Sequence, residues 1–218
     1  EPAGEGVLRT AAARLEGEPP ARALEGAVFV TGAAIQWLRD GLELLADAGE
    51  SEELAASLDD NGGVYFVPAL AGLGSPHWRA DIRGAVTGLT RGTTRAHLVR
   101  AALEAAAYQT ADVLDEMPPL AQLRADGGMT RNRWLMQFQA DVLGIPVSRP
   151  KVMETTALGA AFAAARARNL WPENPPIQSA GGGKTWEPSM TKVDRDRLYD
   201  RWLAAVERSL GWVAAGDG

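Results

Sequence analysis

The sequence predicts an α/β fold, with helices covering a sheet, and three observations carry that expectation. Strand-like and helix-like stretches alternate along the 218 residues, the order expected when helices are layered on a sheet. Twice, near Gly32 and near Gly128, an apolar strand-like run ends in glycine and passes straight into a stretch with helical spacing. Proline and glycine clusters then cut the chain into segments of the right length for such units. No internal repeat and no low-complexity segment interrupts the pattern.

Composition narrows the class. Lys and Arg number 22 against 28 Asp and Glu, a net charge of −6 without long runs of one sign, so no nucleic-acid surface is indicated. The absence of cysteine removes disulfides, thiolate catalysis and cysteine metal sites together. No apolar run approaches the roughly 20 residues that cross a bilayer, and the N-terminus lacks a basic-then-apolar signal layout, so a soluble, cytoplasmic protein without a membrane partner is expected. The first residue is Glu1, and Glu1-Pro-Ala-Gly-Glu-Gly6 reads as the inside of a loop, which suggests a piece of a longer protein.

Taken in order, Val7 to Leu15 suits a short strand or one helical turn, and Gly17-Glu-Pro-Pro20 a turn. Ala27-Val-Phe-Val30 reads as a strand running through Thr31-Gly32 into a helix. There Ile35, Leu38, Leu42 and Leu45 recur at intervals of three and four, with Arg39 and Asp40 outward. Ser51 to Leu58 reads as a helix capped by Ser51, with Glu52 and Glu53 in its first turn. Asn61-Gly62-Gly63 is a turn and Val64 to Val67 a strand stopped by Pro68. Leu73 to Trp78 is an ordered loop, because its glycine and proline forbid regular structure while the tryptophan must pack. Gly84 to Leu89 is a strand with alternating sides. Thr93 or Thr94 caps a long alanine-rich helix that ends before Pro118.

The stretch Leu123-Arg-Ala-Asp-Gly-Gly-Met-Thr-Arg-Asn132 reads as a strand that ends in two glycines and becomes a helix, with Trp134, Phe138 and Val142 on one face until Gly144-Ile-Pro146. A helix start presents unpaired N–H groups and positive dipole, and glycine lets a phosphate approach them. Val147 to Arg149 makes a short strand. Glu154 to Ala161 begins a helix on a threonine cap, where Ala157, Gly159, Ala160 and Ala161 leave room for another backbone or a flat ligand. Pro172 to Pro176 is a linker, and the last helix sets Leu198, Trp202, Val206 and Leu210 on one stripe.

Most chemical candidates fail on context. Ala180-Gly-Gly-Gly-Lys-Thr185 resembles a phosphate-binding loop, but Gln178 stands where its first glycine belongs and no strand leads in, so it reads as a flexible linker. His77 and His97 are the only histidines, and neither has a second ligand one helical turn away. Ser75 lacks the glycine elbow of a hydrolase nucleophile, and the acidic residues scatter over helix faces. What stands out is a pair of corners, Gly32 with Gln36 and Gly128 with Asn132. In each, a helix-start glycine is followed four residues later by an amide able to meet a purine edge or a phosphate oxygen. Two such corners facing one cleft would hold a nucleotide.

Gly84-Ala-Val-Thr-Gly-Leu89, followed after seven intervening residues by His97-Leu-Val-Arg-Ala-Ala-Leu-Glu104, resembles the second signature of the FGGY carbohydrate kinases. Ala23 to Asp40, Val67 to Gly74, Leu135 to Asp141 and Thr156 to Ala161 continue that resemblance in the family's order, closest to its glycerol-phosphorylating members. The resemblance implies a ribonuclease-H-like lobe of the actin type, a mixed sheet covered by helices. ATP, with Mg carried on the nucleotide, would lie in a cleft against a first lobe. It implies that Gly32, Gln36, Gly128 and Asn132 line the nucleotide and that Ala157 to Ala160 form a packed helix start beside it. Residues 1–170 would be the nucleotide-binding C-terminal lobe, and 171–218 a linker with a helix packed on it.

The family's catalytic aspartate, its glycerol contacts and a Gly-Thr-Gly hairpin that leads the lobe's sheet precede the region covered here. The fragment is therefore expected to be inactive alone, and its sheet to show an unpaired edge that invites pairing with another chain. Met129, Thr130, Arg131 and Arg133 replace smaller residues common after the paired glycines. Glycerol would be bound through the first lobe, a pentulose-type sugar kinase or a non-catalytic nucleotide-binding module are the alternatives, and a homo-oligomer stays open.

Overall fold

The 21-residue helix Arg95–Asp115 is the axis of the first of two compact units, and its sequence explains why. Seven alanines along it are buried, at 96, 101, 102, 105, 106, 107 and 111. Small side chains all round let neighbours approach from every direction, where an amphipathic helix would accept them on one face only. In the computed structural model, which describes residues 4–13, 19–168, 170 and 183–211, the helices are α1 Gly32–Asp40, α2 Glu50–Ala56, α3 Arg95–Asp115, α4 Arg133–Leu143, α5 Thr155–Ala167 and α6 Lys192–Ser209. The strands are β1 Leu8–Ala13, β2 Ala21–Glu25, β3 Tyr65–Val67, β4 Ala85–Thr87, β5 Leu123–Arg124, β6 Val147–Arg149 and β7 Lys184–Trp186. The alternation expected of an α/β fold is present.

Unit one comprises residues 1–119 and 190–218, and unit two residues 120–189. These boundaries differ from a division at residue 170. In unit one, α1, α2, β3 and α6 all pack on α3. Thr94 caps α3 in a reciprocal capping box with His97, whose Nδ1 accepts the Thr94 N–H at 3.2 Å. His97 thereby has a structural task. A buried cluster joins α3 to the turn after α2: Arg100 Nε donates to Glu104 Oε1 at 2.8 Å, its guanidinium also donates to the Leu58 carbonyl, and Asn61 Nδ2 donates to Glu104 Oε2 at 2.8 Å. At the other end of α3 the buried Asp112 accepts Tyr199 Oη at 2.7 Å and Trp202 Nε1 at 2.9 Å from α6. The expected stripe on α6 holds for Trp202 and Val206, which are buried, whereas Leu210 lies past the helix end and is exposed.

Several expectations in unit one are corrected. Residues 27–30 form no strand. Their neighbour is the loop at Ser75, whose N–H donates to the Ala27 carbonyl at 2.8 Å and whose Oγ accepts the Ala27 N–H at 3.0 Å, leaving no ladder to join. The strand there is β2, paired antiparallel with β1 in a sheet of two. Helix α1 stops at Asp40, because Gly41 and Leu42 both fold their N–H groups back on Trp37, so Leu42 is exposed while Leu45 is buried beyond the helix. Ser51 lies inside α2, donating its hydroxyl to the Ala48 carbonyl at 2.6 Å, and the Glu50 carboxylate accepts the Ala46 N–H at 3.0 Å. Strand β4 pairs antiparallel with β3 and alternates as expected. The turn at 17–20 falls partly outside the described residues.

Unit two is built on the sheet β5-β6-β7, with β5 parallel to β6 and β7 antiparallel to it. Helix α4 packs on β6 and β7. Residues 184–186 are therefore a strand rather than a linker. Arg149 and Lys184 both lie over the Trp186 ring, 5.6 and 4.9 Å from its centre, and Trp186 is buried. Residues 180–182 and the linker at 172–176 lie outside the described residues. Helix α4 carries Phe138 and Val142 inward, with Trp134 stacked on Phe138 at 5.2 Å, and ends at Gly144, whose φ of 65° is the left-handed turn that stops it. The described strands form sheets of two, two and three, not one continuous mixed sheet.

Candidate functional site

In unit one, Gly32 is the first residue of α1, and Gln36 follows on the same face one turn later. Thr31 precedes the helix without a side-chain cap, and no protein acceptor takes the N–H groups of Gly32 and Ala33 among the described residues. Gln36 is exposed, and its amide makes no hydrogen bond among the described residues. Ala34, Ile35 and Leu38 anchor the opposite face in the core. The first corner is thus an uncapped helix start with a presented amide, as the spacing predicts.

The corner in unit two is built differently. Gly127 holds φ 85° and ψ 177°, a conformation that side chains other than glycine's resist. A single 3-10 turn over Gly128–Arg131 follows, and α4 begins only at Arg133. Asn132 is consequently not one α-turn above a helix-start glycine. Its backbone is extended and its Oδ1 accepts the Leu135 N–H at 2.9 Å, so it is the N-cap of α4 and its carbonyl oxygen is already spent. The signal for this was present in the sequence, since asparagine is a preferred cap.

Much of the backbone at this corner is held. The Gly127 N–H donates to the Met153 carbonyl at 3.1 Å, and its own carbonyl accepts the Thr130 N–H at 3.2 Å and Oγ1 at 2.7 Å. Arg149 donates to the Thr130 carbonyl at 2.6 Å, and the Asp126 carboxylate accepts the Thr155 hydroxyl. What stays open is Gly128: a Cβ placed there would meet nothing within 4 Å, and its N–H finds no acceptor among the described residues. Packing therefore does not require glycine at 128, whereas backbone conformation does require it at 127. Residues 120–189 carry eight Lys and Arg against five Asp and Glu, a positive balance in a chain that is −6 overall. An open, donor-bearing glycine in a positively charged unit is a place for an anion.

Sequence reasoning found Gly128 and Asn132 but missed Asp126, Thr155 and Arg149. Asp126 and Thr155 lie 29 positions apart, and no local pattern joins them. Helix α5 starts at Thr155 after Glu154, without a cap from its own chain neighbours, and contains no buried residue. Among the described residues no group of three or more His, Asp or Glu could hold a metal ion, and no helix is long and apolar enough to cross a membrane.

The model of the FGGY family of carbohydrate kinases, C-terminal domain, matches residues 2–168. This chain belongs to that family. A glycerol kinase from Methylorubrum extorquens is 53% identical over 214 residues, covering 95% of this chain and 43% of the relative. Glycerol kinase 2 of Thermotoga maritima is 55% identical over 196 residues, covering 87% of this chain and 40% of the relative. Among solved structures, Plasmodium falciparum glycerol kinase with ADP superposes with a TM-score of 0.85 at 32% identity, over 95% of this chain and 43% of that one. A ligand-bound xylulose kinase from Lactobacillus acidophilus reaches 0.69 at 22% identity, over 94% and 45%, which speaks for the fold alone. The FGGY chain described here therefore has the ribonuclease-H-like, actin-type fold of these kinases, and it spans less than half the length of the relatives it matches. Helix α6 lies beyond the residues that the family model covers.

Proposed function

We propose that this chain is the nucleotide-binding C-terminal lobe of a kinase that moves the γ-phosphate of ATP to glycerol, giving glycerol 3-phosphate. The observation that carries the reading is Gly128, an unfilled glycine with an unspent N–H after a glycine-only bend. Gly128 would receive a phosphate oxygen, while Asn132 holds the α4 start that follows. In unit one, Gly32 and Gln36 are further candidate nucleotide contacts, the amide of Gln36 being able both to donate and to accept. Similarity to proteins named glycerol kinase supports glycerol as the acceptor.

Phosphoryl transfer depends on positioning and on stabilising charge, with little covalent chemistry for the protein. The part assigned to this chain is to bind and orient the nucleotide. The aspartate that takes the hydroxyl proton and the groups that hold glycerol are assigned to a first lobe. Mg²⁺ would travel on the nucleotide's phosphates and neutralise their charge.

Two experiments test the reading. In a coupled ADP-release assay with glycerol, the isolated chain should show no turnover above a blank, whereas a full-length kinase containing it should. Isothermal titration should show weak ADP·Mg binding to the chain, strengthened by an added first lobe. Activity on a pentulose in preference to glycerol would move the assignment to a sugar kinase. No nucleotide binding with either arrangement would leave an interaction module.

A further inference from the structure

We propose that the hydrogen bond between Asp126 and Thr155 is a clasp that sets where Gly128 stands, making both side chains positioning residues for the nucleotide. The proposal rests on reading Gly128 as a phosphate contact.

Three consecutive residues after β5 are each tied to a different neighbour. The Ala125 N–H donates to the Ser148 carbonyl at 2.8 Å, continuing the ladder to β6. The Asp126 carboxylate then accepts the Thr155 hydroxyl at the first residue of α5. The Gly127 N–H donates to the Met153 carbonyl at 3.1 Å, in the turn that leads into α5. Two of the three ties thus run to residues 153–155. Strand β5 is only two residues long and cannot fix the direction of the chain that leaves it. The direction is set by the entry to α5, and the Asp126–Thr155 bond is a side-chain link to it.

Charge supports the assignment. An ionised aspartate two residues before a phosphate contact opposes an anion on Coulomb grounds alone. Here its carboxylate accepts the Thr155 hydroxyl at the start of α5, which has no side-chain cap within its own segment. Among the donors at this corner that find no acceptor among the described residues is the N–H of Gly128.

The test uses the full-length kinase with four substitutions. T155V removes the hydroxyl at nearly constant volume, and T155S restores it. D126A removes the acceptor, and G128V fills the open space at the contact itself. T155V and D126A should each raise KM for ATP about fivefold, the factor expected for one lost hydrogen bond. The kcat and the KM for glycerol should stay within about twofold, and T155S should return KM for ATP to the parent value. An unchanged KM for ATP in T155V, or equal values in T155V and T155S, overturns the clasp. Should T155V fail to fold, D126A against the parent decides by the same split. G128V separates the two layers: a raised KM for ATP there with normal T155V keeps the contact and rejects the clasp, whereas an unaffected G128V rejects the contact itself.

Discussion

Glu104 shows how much of this family's signature serves the fold rather than the reaction. It is almost wholly buried, and burial pushes its carboxyl above the usual range while Arg100, Asn61 and Tyr108 pull it down by donating to it. Arg100 in turn reaches the carbonyls of Ala55, Leu58 and Asp59 at the end of α2. Removing one member of a buried ion pair strands the other. Glu104→Ala should therefore cost about 3–5 kcal/mol in denaturant unfolding, and a loss below about 1 kcal/mol would show the cluster to be dispensable. The sequence displays Arg100 and Glu104 at helical spacing within a recognisable signature, but their partners lie more than 40 positions away and leave no local trace. A second residue gives a pH signature. Burial raises the Asp115 carboxyl, helped by the charges of Asp112 and Glu116 and opposed by the Tyr199 hydroxyl. A raised folded value means that ionisation costs more in the fold than in the open chain, so stability is lost as pH rises from about 4 upward. Asp115→Asn should lose this dependence, gaining on the parent as pH rises above about 4 by less than about 1 kcal/mol because the side chain meets solvent. A gain that shrinks as pH rises would contradict the sign.

Elements whose signals are local were legible, and those defined by a distant partner were not. Helices α1, α3, α4 and α6, strands β3, β4 and β6, and the threonine cap of α3 follow from periodicity, capping residues and punctuation that stand within a few positions of one another. The stretch 27–30 has strand composition, yet its hydrogen bonds go to Ser75 at Ala27 and to Gln109 at the Val30 carbonyl, which no window of sequence could show. Strand β7 has the reverse history: Gly-Gly-Gly-Lys composition reads as linker, while pairing with β6 and the Trp186 anchor make Lys184–Trp186 a strand. The corner at Gly128 was legible as a glycine-opened turn. The 3-10 turn was not, because it depends on Thr130 closing back on Gly127. At this scale Asn132→Ala should cost about 1 kcal/mol by removing the α4 cap, and Asn132→Asp should recover most of it, since either oxygen can accept the Leu135 N–H. Thermal unfolding of the three proteins checks this, and equal loss in both variants would deny the cap. Sheet edges add a further consequence. Strands β1 and β2 pair only with each other among the described residues, and Leu8 on β1 is half exposed. Such edges recruit other strands. Sedimentation should show average mass rising with chain concentration, and Leu8→Lys should reduce the rise. A strictly monomeric chain at high concentration would mean that these edges are already protected.

At the scale of the molecule, unit one is discontinuous in sequence: the chain leaves it after Pro119, builds unit two, and returns at Met190 to lay α6 against α3 and β3. The return segment lies past the family-model match, yet it completes a core that the earlier residues leave open. Trp202 is fully buried and stacks on Tyr108 of α3 at 5.4 Å, and Tyr108 in turn lies 6.0 Å from Tyr65 of β3. One carboxylate fastens the arrangement. Asp112 accepts both the Trp202 N–H and the Tyr199 hydroxyl, and the ring of His77 comes within 3.6 Å of it. Asp112→Ala deprives the Trp202 N–H of its acceptor, while the Tyr199 hydroxyl keeps Asp115 at 3.0 Å, and a buried orphan costs about 1–3 kcal/mol. The variant should lose about 1–3 kcal/mol in denaturant unfolding. Asp112→Asn should lose less, because an amide oxygen still accepts. The site of the loss distinguishes this from generic damage: α6 should detach before α3 unfolds, so tryptophan emission should shift to the red at lower denaturant than the loss of helical signal. Coincident transitions in D112A would mean that α6 is held by its apolar stripe alone and that the carboxylate adds nothing specific. The aromatic stack predicts that such a detached state stays compact but exposes Tyr108 and Tyr65 together, which an increase in hydrophobic-dye binding over the same denaturant range would reveal.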